Sequence, residues 1–362
     1  NLALIEWVEG YLAQLGVASR RVANAAGTKA NLLATVGPEV EGGVVLSGHT
    51  DVVPVKDQAW TSDPFVLTRR EGRLFGRGSS DMKGFLALAL AATPDFLAAK
   101  LPKPIHLAFS YDEEIGCFGA PAMIEVIARE LPKPALVVVG EPTSMEVVSG
   151  HKGITAWRVT VTGREAHSAQ THLGVSANMA AAKLMGALAE LAGRLEREAD
   201  PASPFLPKHP TLTIGKITGG TAGNILAREC VFLFDLRNLP GQDARAQLAD
   251  FLKLAARIDA EIKARAPEAG VVVEQLADVP PLRPDPGSFA ESFVRRLAGD
   301  NGPARVASFA SEAGQFQRAG LPSVLCGPGS IDQAHQPDEY VDIAQIERGA
   351  AFMIRLTEAL RG

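Results

Sequence analysis

Short continuous apolar runs alternate with stretches of helical spacing through the first part of the chain. "GGVVLSGH" (42–49), "PIHLAFSY" (104–111) and "PALVVVGEP" (134–142) are nearly unbroken apolar runs, whereas "KGFLALALAA" (83–92) and "APAMIEVIARE" (120–130) carry helical patterns. Val, Leu and Ile runs separated by helices predict an α/β fold with a largely parallel sheet covered on both faces. In such sheets ligands gather outside the carboxyl ends of the strands. The polar residues that directly follow each run therefore carry most interest. The opening "NLALIEWVEGYLAQLG" reads as an acidic amphipathic helix rather than a signal peptide.

From Ile154 the order changes. "ITAWRVTVTG", "SANMAAAKLMGALAELAGRLE", "TLTIGKITG", "ECVFLFDLRN", "DARAQLADFLKLAARIDAEIKARA" and "GVVVEQLA" read as strand, helix, strand, strand, helix, strand. This βαββαβ order is ferredoxin-like. It predicts an inserted domain over 154–279 within a first domain made of 1–153 and 280–362. After "DVPPLRPDPG" the α/β pattern resumes with the helix "SFAESFVRRLAG", the short run "PSVLCGPG" and a last helix from about Ile343. Neither an internal repeat nor a low-complexity segment is evident.

Composition narrows the classes. The 362 residues are 46% hydrophobic, enough for the cores of two domains. A formal net charge of -5 without a Lys/Arg run gives no reason to expect nucleic acid or a polybasic membrane anchor. No apolar segment reaches the roughly 18 residues of a membrane span. The expected partner is a small molecule. Cys117, Cys230 and Cys326 are few and far apart. They outline neither a disulfide framework nor a CxxC site, which fits a reducing cytoplasm.

Collected from the strand ends, the polar residues are His49 and Asp51 in "SGHTDVVPV", Asp81 in "GRGSSDMKG", Glu113 and Glu114 in "SYDEEIG", Glu141 in "VVVGEPTS" and His335 in "DQAHQPDEY". Two imidazoles with several carboxylates suit a pair of divalent metals bound through N and O, with Zn²⁺ or Co²⁺ favoured over an all-oxygen Mg²⁺ or Ca²⁺ site. The two-residue spacing in "HTD" places Asp51 on the same side as His49, where it would fix the ring and its tautomer. Each residue also has a plain structural alternative. Asp81 before an apolar helix is a natural N-cap, Glu141 a solvated loop acid, His335 a turn histidine. Their coincidence at one sheet edge favours the metal.

"SGHTDVVPV", "LFGRGSSDMKG", "DEEIGCFGA", "GEPTS" and "AHQPDEYV" resemble, in order, the motifs of the two-metal amidohydrolase and peptidase family that includes acetylornithine deacetylase, succinyl-diaminopimelate desuccinylase and aminoacylase. The resemblance covers nearly the whole chain. It implies a zinc-peptidase-like α/β catalytic domain with the βαββαβ insertion as a lid or dimerisation domain, and hence a homodimer. It further implies that Asp81 bridges two metals, that His49 and Glu141 complete one and Glu114 and His335 the other, and that Asp51 orients the histidine. Glu113 is then the general base that takes a proton from the attacking water. His167 in "GREAHSAQ" corresponds to a lid histidine that stabilises the oxyanion, reaching the site from the partner subunit, with a satisfied loop histidine as its alternative. Asn224 and Arg237, in "GGTAGNILARECVFLFDLRN", match substrate-contacting positions, and a surface salt bridge is the other use of the arginine. His106, His151 and Lys152 read as structural or supporting.

Amide hydrolysis follows from such a site, but the acyl group does not. The segment "ASEAGQFQRAGLPSVLCGPGSIDQAHQPDEYV" resembles the deacetylases more closely than the desuccinylases. That implies N²-acetyl-L-ornithine as substrate, cleaved in arginine biosynthesis, with a desuccinylase or other N-acyl amino acid amidohydrolase as the alternative and a non-catalytic relative that binds an amino-acid derivative as the reading from another class. Its protonated δ-amine calls for a nearby acid, for which Glu312 is the candidate. Relatives carry about one more helix and an "IPSVS"-like segment ahead of the point where this chain begins, so a preceding N-terminal stretch is expected.

Overall fold

The apolar runs become neighbours in one sheet. The computed structural model describes residues 1–361. In it, Val44–His49 lies between Ile105–Ser110 and Leu136–Val139 and parallel to both, with Ser323–Leu325 parallel to Leu136–Val139 on its far side. All four strands are buried along their length, which is why they read as unbroken apolar runs.

Towards both edges the sheet differs from the parallel expectation. Its order of eight strands is Ser19–Ala23, Ala30–Val36, Ile105–Ser110, Val44–His49, Leu136–Val139, Ser323–Leu325, Val148–His151 and Arg305–Ala307. The first two pair antiparallel, as do Ala30–Val36 with Ile105–Ser110 and Val148–His151 with Ser323–Leu325. These outer strands lack a long apolar run. "SRRVA" is largely exposed, and "ANLLATV" carries polar side chains that find partners inside, although Asn31 Oδ1 has none. Asn31 Nδ2 donates to the Gly119 carbonyl at 2.9 Å, and Thr35 Oγ1 lies 2.9 Å from His106 Nδ1. His106 is thus a structural histidine, its pKa pushed down to about 4 by burial.

Helices Leu2–Gln14, Lys83–Ala99, Phe289–Ala298 and Ile343–Arg361 supply Ile5, Leu12, Phe85, Phe96, Val294, Phe352 and Leu356 to the core around this sheet. Burying each such side chain contributes about 1.5–3 kcal/mol. Helix Lys83–Ala99 approaches so closely that a Cβ on Gly140 would stand 2.0 Å from the Phe85 ring. Glycine there lets the start of the helix meet the end of a strand.

By compactness the chain divides into two units, the first formed by Asn1–His151, Leu282–Val306 and Ser311–Gly362, the second by Lys152–Pro281 and Ala307–Ala310. The second has its own antiparallel sheet in the order Thr211–Gly219, Glu229–Arg237, Ile154–Thr162, Gly270–Val279. Alternate residues of the two central strands, among them Trp157, Val159, Phe232 and Phe234, are buried with Leu184, Leu188, Phe251 and Ile258 of helices Ala177–Arg197 and Ala249–Arg265. This is the inward and outward alternation of a sheet covered on one face. The helix expected from Asp243 is divided. Asp243 caps the short Ala244–Gln247, and the wholly buried Leu248, with ψ of 1°, stands before Ala249–Arg265.

Candidate metal centre

Three adjacent parallel strands deliver most of the site. His49 ends Val44–His49, Glu141 lies just beyond Leu136–Val139, and Glu113 and Glu114 follow Ile105–Ser110. Asp81 stands ahead of helix Lys83–Ala99 without capping it. Met82 occupies the cap position and no side chain makes a capping bond. Instead Asp81 Oδ1 lies 3.0 Å from His49 Nε2 while Oδ2 lies 3.3 Å from His335 Nε2. His335 Nε2 is also 3.0 Å from Glu114 Oε2.

Two ligand sets result, and they share Asp81. One is His49, Asp81 and Glu141, the other Asp81, Glu114 and His335, with the ligand atoms of each within 4.8 Å of one another. The first set is buried throughout. In the second, the His335 side chain is 50% exposed.

The His49 ring is held by the Asp51 main-chain carbonyl, 3.0 Å from Nδ1, rather than by the Asp51 carboxylate as the sequence predicts. That carboxylate stands 3.6 Å from Nδ1, beyond hydrogen-bond reach. It is taken up by the next turn, accepting the main-chain N–H groups of Glu113 at 3.2 Å and Glu114 at 3.1 Å. A carbonyl only accepts, so Nδ1 keeps its proton and Nε2 is the nitrogen left for a cation.

The electrostatics are lopsided. Burial, opposed by His49 and reinforced by Asp81, Glu312 and Glu114, pushes the Glu113 carboxyl up to about 8. Burial, with Asp81 and Glu113 adding to it, also raises Glu141 well above the carboxylate range, and its Oε1 is buried with no hydrogen-bond partner. For His49, burial works to lower the pKa, but the bond to Asp81 and the charges of Glu113 and Glu141 hold it well above normal. Hydrogen bonds to Asp81 and Glu114 raise His335 to about 10. Too many acids converge on two imidazoles, and a pair of divalent cations would offset that excess. The orphaned Glu141 oxygen, the two-faced Asp81 and the N and O donors all fit such a pair.

Glu113 belongs to neither set. Its Oε1 accepts a hydrogen bond from the Cys117 thiol, 3.3 Å away. Glu312 lies inside the first unit at 1% exposure, where Ser47 Oγ donates to its Oε2 at 3.3 Å. Burial is the main cause that raises it to about 7. Its Oε1 is buried with no hydrogen-bond partner.

In the second unit His167 and Asn224 are exposed and lie on paired segments, the Ser168 N–H donating to the Asn224 carbonyl at 2.9 Å. His167 Nδ1 accepts from the Ala169 N–H at 3.1 Å, which leaves Nε2 to carry the proton. Arg237 Nε is paired with Asp235 Oδ2 at 3.1 Å, the salt-bridge alternative. Lys152 Nζ donates to the Pro207 and His209 carbonyls at 2.8 and 2.9 Å.

Several residues to which the sequence assigns no role surround the ligands. Glu339 is 1% exposed. It accepts from Arg77 Nη1 at 2.6 Å and from the N–H groups of Gly78, Ser80 and Asp81 at 3.1, 2.9 and 3.1 Å. Gln58 links Arg77 to the His335 carbonyl. Their one signal in the sequence is a charged residue inside each of the Gly/Ser- and Pro-containing segments "FGRGSSD" and "HQPDEY".

Residues 45–359 match the model of the peptidase family M20/M25/M40. Acetylornithine deacetylase of Proteus mirabilis (strain HI4320) is 36% identical over 362 residues, covering 99% of this chain and 90% of the relative. That of Yersinia pestis is 35% identical over 354 residues, covering 96% and 88%. Among solved structures, the M20 family metallo-carboxypeptidase Sso-CP2 from Sulfolobus solfataricus superposes with a TM-score of 0.76 at 19% identity, covering 99% of this chain and 93% of that one. The Bacillus subtilis YXEP protein, described as a dinuclear metal binding peptidase, does so with a TM-score of 0.63 at 13% identity, covering 97% and 90%.

Proposed function

The chain belongs to the peptidase family M20/M25/M40 and is a metal-dependent amidohydrolase, and from that premise we propose that it cleaves N²-acetyl-L-ornithine to acetate and L-ornithine in arginine biosynthesis. One observation carries the chemistry. Two ligand sets share Asp81 while Glu113 stays unligated beside them. The likeness to acetylornithine deacetylases over nearly the whole chain supports the substrate.

His49 and Glu141 would hold one cation, Glu114 and His335 the other, and Asp81 both, with Zn²⁺ or Co²⁺ as the ions. Bound there, they supply Lewis-acid polarisation of the amide carbonyl and a water of lowered pKa. Glu113 takes the proton of the attacking water and passes it to the departing amine. The Cys117 thiol occupies its Oε1, so Oε2 is the oxygen that meets the water. In the proposed homodimer, His167 of the partner subunit donates from Nε2 to the oxyanion. Asn224 and the Nη atoms of Arg237 hold the substrate carboxylate, Arg237 Nε being engaged by Asp235. Glu312, whose Oε1 has no hydrogen-bond partner, is the acid for the substrate's protonated δ-amine.

We further propose a homodimer formed through the inserted domain, 154–279. Strand Thr211–Gly219 is an edge of its sheet and exposed along most of its length, and such edges invite pairing. No helix among the described residues is long and apolar enough to cross a membrane. The buried free thiols Cys117, Cys230 and Cys326 suit a cytoplasmic setting.

The test is a steady-state comparison of N-acetylornithine, N-succinyl-diaminopimelate and other N-acyl amino acids with Zn²⁺ or Co²⁺ added. N-acetylornithine should have the highest kcat/KM, and preference for the succinyl substrate would replace this assignment with a desuccinylase. Glu113→Gln should keep its metal content and lose about 10²–10⁴-fold in kcat. Retained turnover in that variant removes Glu113 as the base.

A further inference from the structure

We propose that Glu339, acting with Arg77 and Gln58, is a positioning residue that holds the main chains of Asp81 and His335 in register and so sets the metal affinity of both ligand sets. The inference rests on reading those sets as metal-binding.

The Glu339 carboxylate has four donors around it. Its Oε1 accepts the N–H groups of Ser80 and Asp81, and its Oε2 accepts Gly78 N–H and Arg77 Nη1. Arg77 then turns its second arm outward, Nη2 donating to Gln58 Oε1 at 2.6 Å, where Trp60 Nε1 also donates at 3.0 Å. Gln58 Nε2 donates in turn to the His335 carbonyl at 2.9 Å. Hydrogen bonds thus run unbroken from the Asp81 main chain to the His335 main chain. The circuit closes covalently, because Glu339 and His335 belong to the same loop.

Two observations argue that the circuit serves the ligands rather than stability alone. The Arg77–Glu339 pair has 1% of each side chain exposed. A buried ion pair is often no more stabilising than apolar residues of the same volume, so its presence calls for another use. The second observation is the His335 backbone, with φ of 64°. A non-glycine residue stays in that left-handed region when its surroundings hold it there, and the Gln58 bond to its carbonyl is such a restraint. Arg77 serves two acceptors with two nitrogens of one planar fork, which a lysine ammonium does not reproduce.

The test titrates metal-free wild type, Glu339→Gln, Arg77→Lys and Gln58→Ala with Zn²⁺ by calorimetry, with the unfolding temperature of each metal-free protein measured alongside. Wild type should bind two equivalents. Gln58→Ala leaves the buried pair in place and should keep its unfolding temperature and its first affinity, while the second falls about 10–100-fold, the usual cost of losing an outer partner of a ligand. Arg77→Lys should weaken the second equivalent by a similar factor, with a lower unfolding temperature because it alters the buried pair, and Glu339→Gln should weaken both equivalents. If Glu339→Gln does not fold, the other two variants decide. Wild-type affinity in Gln58→Ala and Arg77→Lys, or a loss confined to unfolding temperature, overturns the proposal and leaves the metal reading intact. A wild type that binds no Zn²⁺ removes the metal reading, and this inference with it.

Discussion

His49 and Glu141 reach their ligand set from the ends of strands buried in the core, with the shared Asp81 at the start of a packed helix. Glu114 and His335 complete the other set from loops, and His335 is half-exposed with a left-handed backbone. The inner set is placed by the packing of apolar runs. The rim set depends on hydrogen bonds, those of Asp51 to the Glu113–Glu114 turn and of Gln58 to His335. The proposed metal pair would therefore rest on two kinds of support, and they should fail in different ways.

The largest effect erases the contrast. Asp81→Ala removes the shared ligand, and both sets should lose more than about 100-fold in affinity, since outer partners alone are worth about 10–100-fold. Equilibrium dialysis would show it, and full affinity at either set would mean that Asp81 is not shared. Next, single-set variants should separate the two. His335→Ala should retain one equivalent of two, and Glu141→Gln should lose the equivalent that His335→Ala keeps. Glu141→Gln also replaces a carboxyl whose buried Oε1 has no hydrogen-bond partner with a neutral isostere. Its metal-free form should therefore unfold no lower than wild type, against the usual cost of a core substitution.

The smallest effect is a pH dependence of the metal-free protein. Hydrogen bonds to Asp81 and Glu114 raise His335 to about 10. A folded value above the unfolded one, near 6.5, gives stability that is fully present below about pH 6.5 and lost as pH rises through about 10. The ring is half open to water, so the stability term is small. Zn²⁺ must displace that proton, so rim affinity should rise with pH from neutrality to about 10. Imidazole NMR of the metal-free protein should show His335 protonated at pH 7, and a midpoint near 6.5 would remove the linkage.

The same contrast explains what was legible in the sequence. His49, Glu113, Glu114 and Glu141 each follow an apolar run, and burial of that run fixes where they stand. Asp81 carried two readings until its oxygens were seen to face separate imidazoles. His335 follows no long apolar run, and on its own "DQAHQPDEY" also reads as a turn histidine; its pairing with Glu114 is implied only by the resemblance of "AHQPDEYV". Glu339 was harder still. An acid in a Pro- and Asp-containing loop reads as solvated, and its partner Arg77 is 262 residues away in the chain. The edge strands escape the pattern for a related reason, since Ser19–Ala23 is largely exposed and Arg305–Ala307 has only three residues, two of them half-buried. Where position comes from partners distant in sequence, a local pattern has nothing to register.

The chain order of the ligands also puts the site on a clock. His49, Asp81, Glu114 and Glu141 all precede Lys152, where the second unit begins, and His335 follows that unit. At translation rates of about 5–20 residues per second, a ribosome finishes the inner ligands well before it reaches the last one of the rim. The last candidate ligand of the rim set, and the Glu339 that holds the Asp81 main chain, are made only after the intervening unit, so neither set has its full support until the segment around His335 has been synthesised.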